Sequence, residues 1–531
     1  MEHRLQDSIG FDQLAWILAT LILLSYLLPS ILNPDQCWLI HPIILAHQAT
    51  FSPTRKQSET PTITNSGASP HSLSVTPDRS VKSLYDLLLK AQGKLQQIGL
   101  HSIVPQNVSL KTLISNARNH LWSKTKTGND PDHPQVLILC VDPYLKLVLS
   151  LAAATLPMVT MVGAPKLSGT MSVEAKRALE PCLDHLSLVI SDLSTDVVQE
   201  LLGPKLRANC EILSVSDTSG WFQPNETEKA APVNLSELSK ARLRIVHHST
   251  KPEKEPQIFE FTPENLLAGI TGSLGLFPLA GKLTAKDTIA LEFGEDENIW
   301  GCESSIAVAG LYAGADVYFV NGFKHLSECK PTVLAIKAMT AQILAEEIVQ
   351  LSKLSFLKKL AIGRRLYQVS SGMLGSPLPE TNQWVGPKLR AILTNDPISQ
   401  SSATLIRAGF GASLQRLYVH PVAAGPVLAG QQYDFQFVQP HRPATQAMIP
   451  CGPPAVNVEC KIVDVPEPAL VNHDAWKGKL LVRGPSIGTE SASAQQSSGS
   501  ANQPFYAVAE VAQVLPNGTF LVFSPAVTGD D

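Results

Sequence analysis

The middle of this 531-residue chain is short of glycine where its pattern asks for one: none occurs between Ser249 and Thr262. An apolar run of Leu243, Ile245 and Val246 enters the segment. His247, His248, Ser249 and Thr250 come next, then the charged stretch 251–255, then a strand-like run of Ile258, Phe259 and Phe261. Thr262-Pro263-Glu264 reads as a helix start, with Thr as N-cap, Pro at the first helical position and an acid in the first turn. A loop in a strand–loop–strand–helix setting holds phosphate through its backbone N–H groups. Closing tightly on the anion takes glycine. Without it, the segment keeps the frame of a phosphate loop and loses its means.

Other absences narrow the class. The formal net charge is only −4, so nothing resembles the basic footprint of a nucleic-acid binder. The eight cysteines include no C-x-x-C pair, which removes the usual zinc signature and fits reduced, partly buried thiols in a cytosol-facing protein. No internal repeat stands out. Asn-x-Ser/Thr triplets at Asn107, Asn225, Asn234 and Asn517 matter only in a lumenal domain.

Charge is missing altogether from residues 14–32, a run of 19, close to the roughly 20 needed to cross a bilayer. A second apolar patch, 37–46, comes after Asn33-Pro34-Asp35. A cleaved signal peptide is disfavoured by Glu2, Asp7 and Asp12 ahead of the run and by the lack of a clean small-x-small site. The run is apolar on every face, unlike a core helix with one apolar stripe. Pro29 and Pro34 leave two arrangements open, a single span or a hairpin in one leaflet. Basic residues at Arg55, Lys56, Arg79 and Lys82 favour a cytosolic body. Residues 1–50 are thus expected to form a membrane anchor.

Residues 51–80 are rich in Ser, Thr and Pro and read as a linker. Leu84, Leu87, Leu88, Ala91, Leu95 and Ile98 repeat at helical spacing, predicting one helix over 83–100. Continuous apolar runs then predict strands at 135–141, 158–162 and 186–190, with a helix at 144–154 between the first two. Beyond the glycine-free loop, helices are predicted at 266–277, 306–313 and 333–351, and strands at 288–293, 316–320 and 389–393. Strands alternating with helices indicate a doubly wound α/β sheet. From Gly452 the texture becomes alternating, at 456–463, 478–483, 505–514 and 519–523, the last two flanking Pro516-Asn517-Gly518 as a hairpin. Residues 491–503 read as a disordered Ser/Ala/Gln insert.

Three further patterns invite functional readings. Gly269-x-x-Gly272-x-x-Gly275 lies inside a helix and reads as a packing stripe rather than a nucleotide loop, while Gly372-x-x-Gly375 falls in a loop. His247-His248 reads as solvated, and Glu295-Asp296-Glu297 as an acidic strand-end loop rather than a metal site.

The order of elements, with Gly452-Pro453-Pro454, Asn457-Val458-Glu459-Cys460-Lys461-Ile462-Val463-Asp464 and Gly478-Lys479-Leu480-Leu481-Val482-Arg483-Gly484-Pro485, resembles the adenylate-forming (ANL) superfamily, in its long-chain acyl-CoA synthetase branch. Residues 330–335 look like that family's helix start after a Rossmann-like strand, and 41–45 with 52–56 look like the opening segment of fungal-type members. The resemblance spans roughly 81–525. It implies an α/β ANL-type large domain: two doubly wound α/β subdomains over 81–450 and a small antiparallel β module over 451–525, with the family's C-terminal lid domain absent.

In the family a carboxylate attacks ATP to give an acyl-adenylate, and the acyl group passes to coenzyme A. That chemistry calls for phosphate-holding N–H groups, a magnesium ligand and a cation. Set against those motifs, the phosphate loop keeps Ser249 and Thr250 but carries Glu253 and Glu255. Tyr-Gly-x-Thr-Glu matches Tyr418-Val419-His420-Pro421-Val422, so the Thr and the magnesium-linked Glu are gone. Thr-Gly-Asp matches Val508-Ala509-Glu510, where Glu510 stands in for the ribose-binding acid, and the hinge Asp-Arg becomes Ser524-Pro525. The expected remnants of a nucleotide site are therefore Ser249, Thr250, Tyr418 and Glu510, with no catalytic or metal-binding residue assigned. ATP, Mg and coenzyme A would be cofactors only of a retained ligase. The implied protein is a membrane-anchored, catalytically degenerate synthetase at the endoplasmic reticulum or lipid-droplet surface. Its implied partners are the membrane, a fatty acid or acyl chain and another protein, and not nucleic acid.

Overall fold

The computed structural model describes residues 13–24, 47–98, 108–126, 134–163, 179–180, 183, 185–203, 210–214, 238–247, 257–292, 302–432, 434, 448–464, 476–490 and 504–523, with short gaps inside some of these spans. Three seven-stranded sheets organise it. The first runs in spatial order Thr489–Glu490, Gln257–Phe261, Arg242–His247, Val159–Gly163, Gln135–Leu139, Leu188–Ser191 and Glu211–Ser214. Its centre is parallel, and Gln257–Phe261 returns antiparallel beside Arg242–His247. Gln135–Leu139 is buried at four consecutive positions, so its uniform apolar sequence suits a strand covered on both faces.

The second sheet runs Leu428–Ala429, Ser413–Tyr418, Ala391–Thr394, Val333–Ile336, Thr288–Glu292, Asp316–Val320 and Leu95–Ile98. It is parallel except at the short Leu428–Ala429 edge. The third sheet is antiparallel at every pair: Ala49–Phe51, Ile63–Asn65, Glu459–Val463, Lys477–Arg483, Tyr506–Val514, Phe520–Phe523 and Met448–Gly452. The expected hairpin over residues 516–518 joins its fifth and sixth strands. One core cluster runs through the two α/β layers and into this third sheet, from Ile138 through Phe259 and Ile289 to Ile462.

Several elements differ from the sequence expectations. Residues 83–100 are not one helix: Leu84–Lys90 is helical and Leu95–Ile98 is a strand pairing in parallel with 317–320. The helix ends at Ala91, whose backbone is extended, and Gly93 then lets the chain pass where a Cβ would overlap the Ala315 carbonyl. Residues 333–351 likewise divide into the fully buried strand Val333–Ile336 and the helix Ala338–Leu354, so 330–335 leads into a strand and not a helix. The expected linker 51–80 contributes the strand Ile63–Asn65 to the third sheet, where Ile63 pairs with Cys460, and the strand Ala49–Phe51 beside it takes in the last two residues of the expected anchor 1–50. Of the apolar N-terminus, only residues 13–24 are described; they are helical, with Leu14, Trp16, Leu21 and Leu23 exposed. Among the described residues no helix is long and apolar enough to cross a membrane. The insert 491–503 lies outside the described residues.

Candidate functional site

The glycine-free loop hangs from a hairpin whose register pairs His247 with Gln257 and Leu243 with Phe261. Glu260 locks that hairpin from the neighbouring strand, receiving Arg244 Nε at 2.8 Å and lying 3.3 Å from Arg242 Nε. Thr262 then caps the helix Pro263–Leu274. Its hydroxyl accepts from the Asn265 N–H while the Asn265 side chain accepts from the Thr262 N–H, a reciprocal box with Pro263 inside the first turn. The strand–loop–strand–helix frame read from the sequence is therefore present. Ser249 and Thr250, on the loop itself, lie outside the described residues, as do His248 and Glu295-Asp296-Glu297.

The glycine stripe of that helix is a packing face, as its position inside the helix suggested. A Cβ on Gly269 would overlap the Ala424 carbonyl, one on Gly272 would meet the Asn457 side chain, and one on Gly275 would press on Val456. The helix thereby holds two segments: 422–425, after the strand Ser413–Tyr418, and 456–457, at the start of the β module. Asn457, fully buried, donates Nδ2 to the Ala268 carbonyl at 2.7 Å.

Tyr418 ends the strand Ser413–Tyr418 at the carboxyl edge of the second sheet, where doubly wound folds place their ligands. Its hydroxyl donates to the Val508 carbonyl at 2.8 Å. The predicted position 510 lies two residues beyond Val508 on the same strand, Tyr506–Val514.

The surroundings of the segment after Tyr418 were not legible in the sequence. His420 Nδ1 accepts from the Val422 N–H at 3.2 Å. Its ring stands 6.2 Å from Phe259 and 5.8 Å from Tyr506, and Phe259 and Tyr506 meet edge to face at 6.1 Å. Tyr506 O–H donates to Glu490 Oε2 at 3.4 Å, and Gln257 Nε2 donates to Glu490 Oε1 at 3.1 Å. Burial, with the Glu490 charge adding to it, pushes the Tyr506 phenol up to about 12. These three rings come from the loop hairpin, the segment after Tyr418 and the β module, so they join all three sheets at one point.

Val422 is 0% exposed and its carbonyl accepts from Gly488 N–H at 2.7 Å. A carboxylate at this position would be an ion inside apolar packing, which costs several kcal/mol unless paired. Val422 therefore belongs to the core and does not line an ion site. Among the described residues no group of His, Cys, Asp or Glu is arranged to hold a metal. A separate cavity of ≈ 130 Å³ is lined by Asn65, Gly272, Gly275, Ala429, Gly430 and Val456, among others. That is below the usual size of a small-molecule site, and its lining includes none of Tyr418, His420, Phe259 and Tyr506.

No protein-family model and no curated protein matches this sequence. Solved structures do match it in fold. The adenylation domain of a keto acid-selecting NRPS module, bound to keto acyl adenylate, superposes with TM-score 0.58 at 12% identity, covering 86% of this chain and 84% of that one. The amide bond synthetase McbA from Marinactinospora thermotolerans gives 0.57 at 14%, with 83% and 79% covered. O-succinylbenzoate coenzyme A synthetase (MenE) from Bacillus subtilis, in complex with AMP, gives 0.54 at 12%, with 84% and 79% covered. Sequence identities this low carry the architecture and not the activity: the chain is built on the mixed α/β fold of the adenylate-forming (ANL) enzymes.

Proposed function

We propose that this protein is a membrane-anchored, catalytically degenerate relative of the long-chain acyl-CoA synthetases, which binds a lipid or a protein partner rather than activating a carboxylate. The observation that carries the reading is the segment after Tyr418. The resemblance puts a magnesium-linked acid at 422, and this chain has a fully buried valine there. Beside it, His420, Phe259 and Tyr506 pack ring on ring at the junction of the three sheets. Tyr418 spends its hydroxyl on a backbone carbonyl. The glycine-free loop 249–262 supports the same reading from the sequence. Membrane attachment is proposed for the N-terminal apolar segment ahead of the strand Ala49–Phe51, on the uncharged run 14–32, with the body on the cytosolic side of the endoplasmic reticulum or a lipid droplet.

The test is turnover. Purified full-length protein is given ATP-Mg, a C16–C18 fatty acid and coenzyme A, and AMP release is followed. The expected result is a rate indistinguishable from that without fatty acid. Release dependent on fatty acid and coenzyme A would favour the alternative, a working long-chain fatty acid–CoA ligase, for which the closeness of Tyr418 to the 506–514 strand is the supporting observation.

A further inference from the structure

Far along the chain from the Tyr418 site, two consecutive helices carry an apolar surface that the core does not use. Ala338–Leu354 and Phe356–Ser370 are joined at Ser355, whose backbone is extended. Their inner faces are buried through Ala341, Leu344, Ala345, Ile348 and Ile362 in the core cluster around the second sheet. Their junction and outer face are different. Leu354 is 69% exposed, Phe356 77%, Leu357 73%, Leu360 62% and Tyr367 71%. Phe356, Leu360 and Tyr367 stand at i, i+4 and i+11, so they form one stripe along the outside of the second helix, and Leu357 flanks it. Single exposed apolar residues are ordinary; a tip and stripe of five large ones is not.

The charge around the stripe identifies what it fits. In a chain of net charge −4, the 32 residues between Glu347 and Glu380 contain no Asp or Glu and five cations. Two of those are used within the protein: Lys358 pairs with Glu380 at 2.8 Å, and Arg365 donates to the Pro377 carbonyl at 3.2 Å. Lys353, Lys359 and Arg364 are exposed beside the apolar stripe. Leu, Phe and Tyr on one face with Lys and Arg at its margins is the composition of a helix that lies in a lipid interface, its rings and aliphatic groups among the acyl chains and its cations at anionic headgroups.

We propose that the tip and outer face of the 338–370 helical hairpin, Leu354, Phe356, Leu357, Leu360 and Tyr367 with Lys353, Lys359 and Arg364, dock on an anionic lipid bilayer. This surface lies on the folded body and is independent of the uncharged N-terminal run. It would bring the body down onto the membrane that the run reaches.

Hydrogen exchange of the full-length protein, with vesicles of 70:30 phosphatidylcholine:phosphatidylserine and with phosphatidylcholine alone, separates the two. Peptides covering 353–367 should be protected by the anionic vesicles, with protection declining as salt is raised. Leu357→Glu/Leu360→Glu should abolish that protection, and Lys359→Glu/Arg364→Glu should raise the lipid concentration for half-protection about tenfold or more. All four sites are exposed, so near-native exchange elsewhere in each variant is the check on folding. Unchanged exchange at 353–367 would overturn the proposal even if residues 14–32 bind vesicles. Protection at 353–367 that appears with protein concentration and without lipid would also overturn it, in favour of a second copy of the chain. Protection at 353–367 with no vesicle-induced change at 14–32 would support this surface and count against the N-terminal anchor.

Discussion

Two stretches carry the letters by which this chain resembles adenylate-forming enzymes, and the match differs between them. Residues 452–485 match the family pattern almost in full, whereas 418–422 match only its tyrosine. The two stretches also differ in their surroundings. Gly452 has φ +86°, and a Cβ there would overlap the Ala429 carbonyl. Asn457 is buried and bonded to the backbone of the Pro263–Leu274 helix. Glu459 and Arg483 pair at 2.7 Å across neighbouring strands, and Arg483 lies over the Phe505 ring. Each of these letters has work in the fold. At 419–422, by contrast, the contacts are those of a buried valine and a ring cluster. The letters this chain shares with the family at 452–485 are ones with packing roles, and such letters are no guide to activity.

The largest effect should come from placing an acid at 422, where the resemblance puts one. Val422→Glu buries a charge in the core and should destabilise the protein by about 3–5 kcal/mol, read as a fall in denaturant midpoint. A stable variant that gained magnesium-dependent nucleotide binding would mean that the site is merely unoccupied by an acid and otherwise intact. Next comes the kept stretch. Asn457→Ala removes a buried hydrogen bond and leaves the Ala268 carbonyl without it, for a loss of about 1–3 kcal/mol. If the letter served a ligand instead, stability would hold and only binding would change.

The smallest effect concerns the ring cluster. The Tyr506 phenol is raised to about 12 against an ordinary value near 10, burial being the larger cause and the Glu490 charge the lesser. Its folded pKa is above the unfolded one, so the stability it contributes is complete below about pH 10 and declines as pH rises toward about 12. Tyr506→Phe should flatten the fall in stability over that window while leaving neutral-pH stability within about 1 kcal/mol. Half exposure of the group keeps the difference small. Equal pH dependence in both proteins would mean that Tyr506 ionises as if solvated and that the cluster is open.

Much of the fold was legible because period and burial agree. The 135–139, 288–292 and 316–320 strands have apolar centres, 136–139, 289–291 and 317–320, and sit inside parallel sheets. Thr262-Pro263 announced a helix that the Asn265 box completes. The misreadings share a cause. In 84–98 and 333–348 the apolar residues of a strand and of a helix fall at helical spacing across a short junction, 90–94 in the first and Lys337 in the second, so apolar spacing fits one long helix about as well as two elements. Only the partner strands, 317–320 for the first and 289–291 with 391–394 for the second, decide between them. The same holds at the site. Tyr418 was visible as a motif letter, but Phe259, His420 and Tyr506 are drawn together by three different sheets, and no local pattern marks them.

Nucleotide binding by the full-length protein tests the central claim most directly. Calorimetric titration with ATP-Mg, paired with the melting temperature at saturating ATP-Mg, reads the site without requiring turnover. A ligand at a hundred times its Kd stabilises the folded state by about 2.7 kcal/mol, well within detection. The account predicts no heat of binding and no shift in melting temperature at millimolar ATP-Mg. A saturable isotherm with a matching rise in melting temperature, lost in Tyr418→Ala, would contradict it.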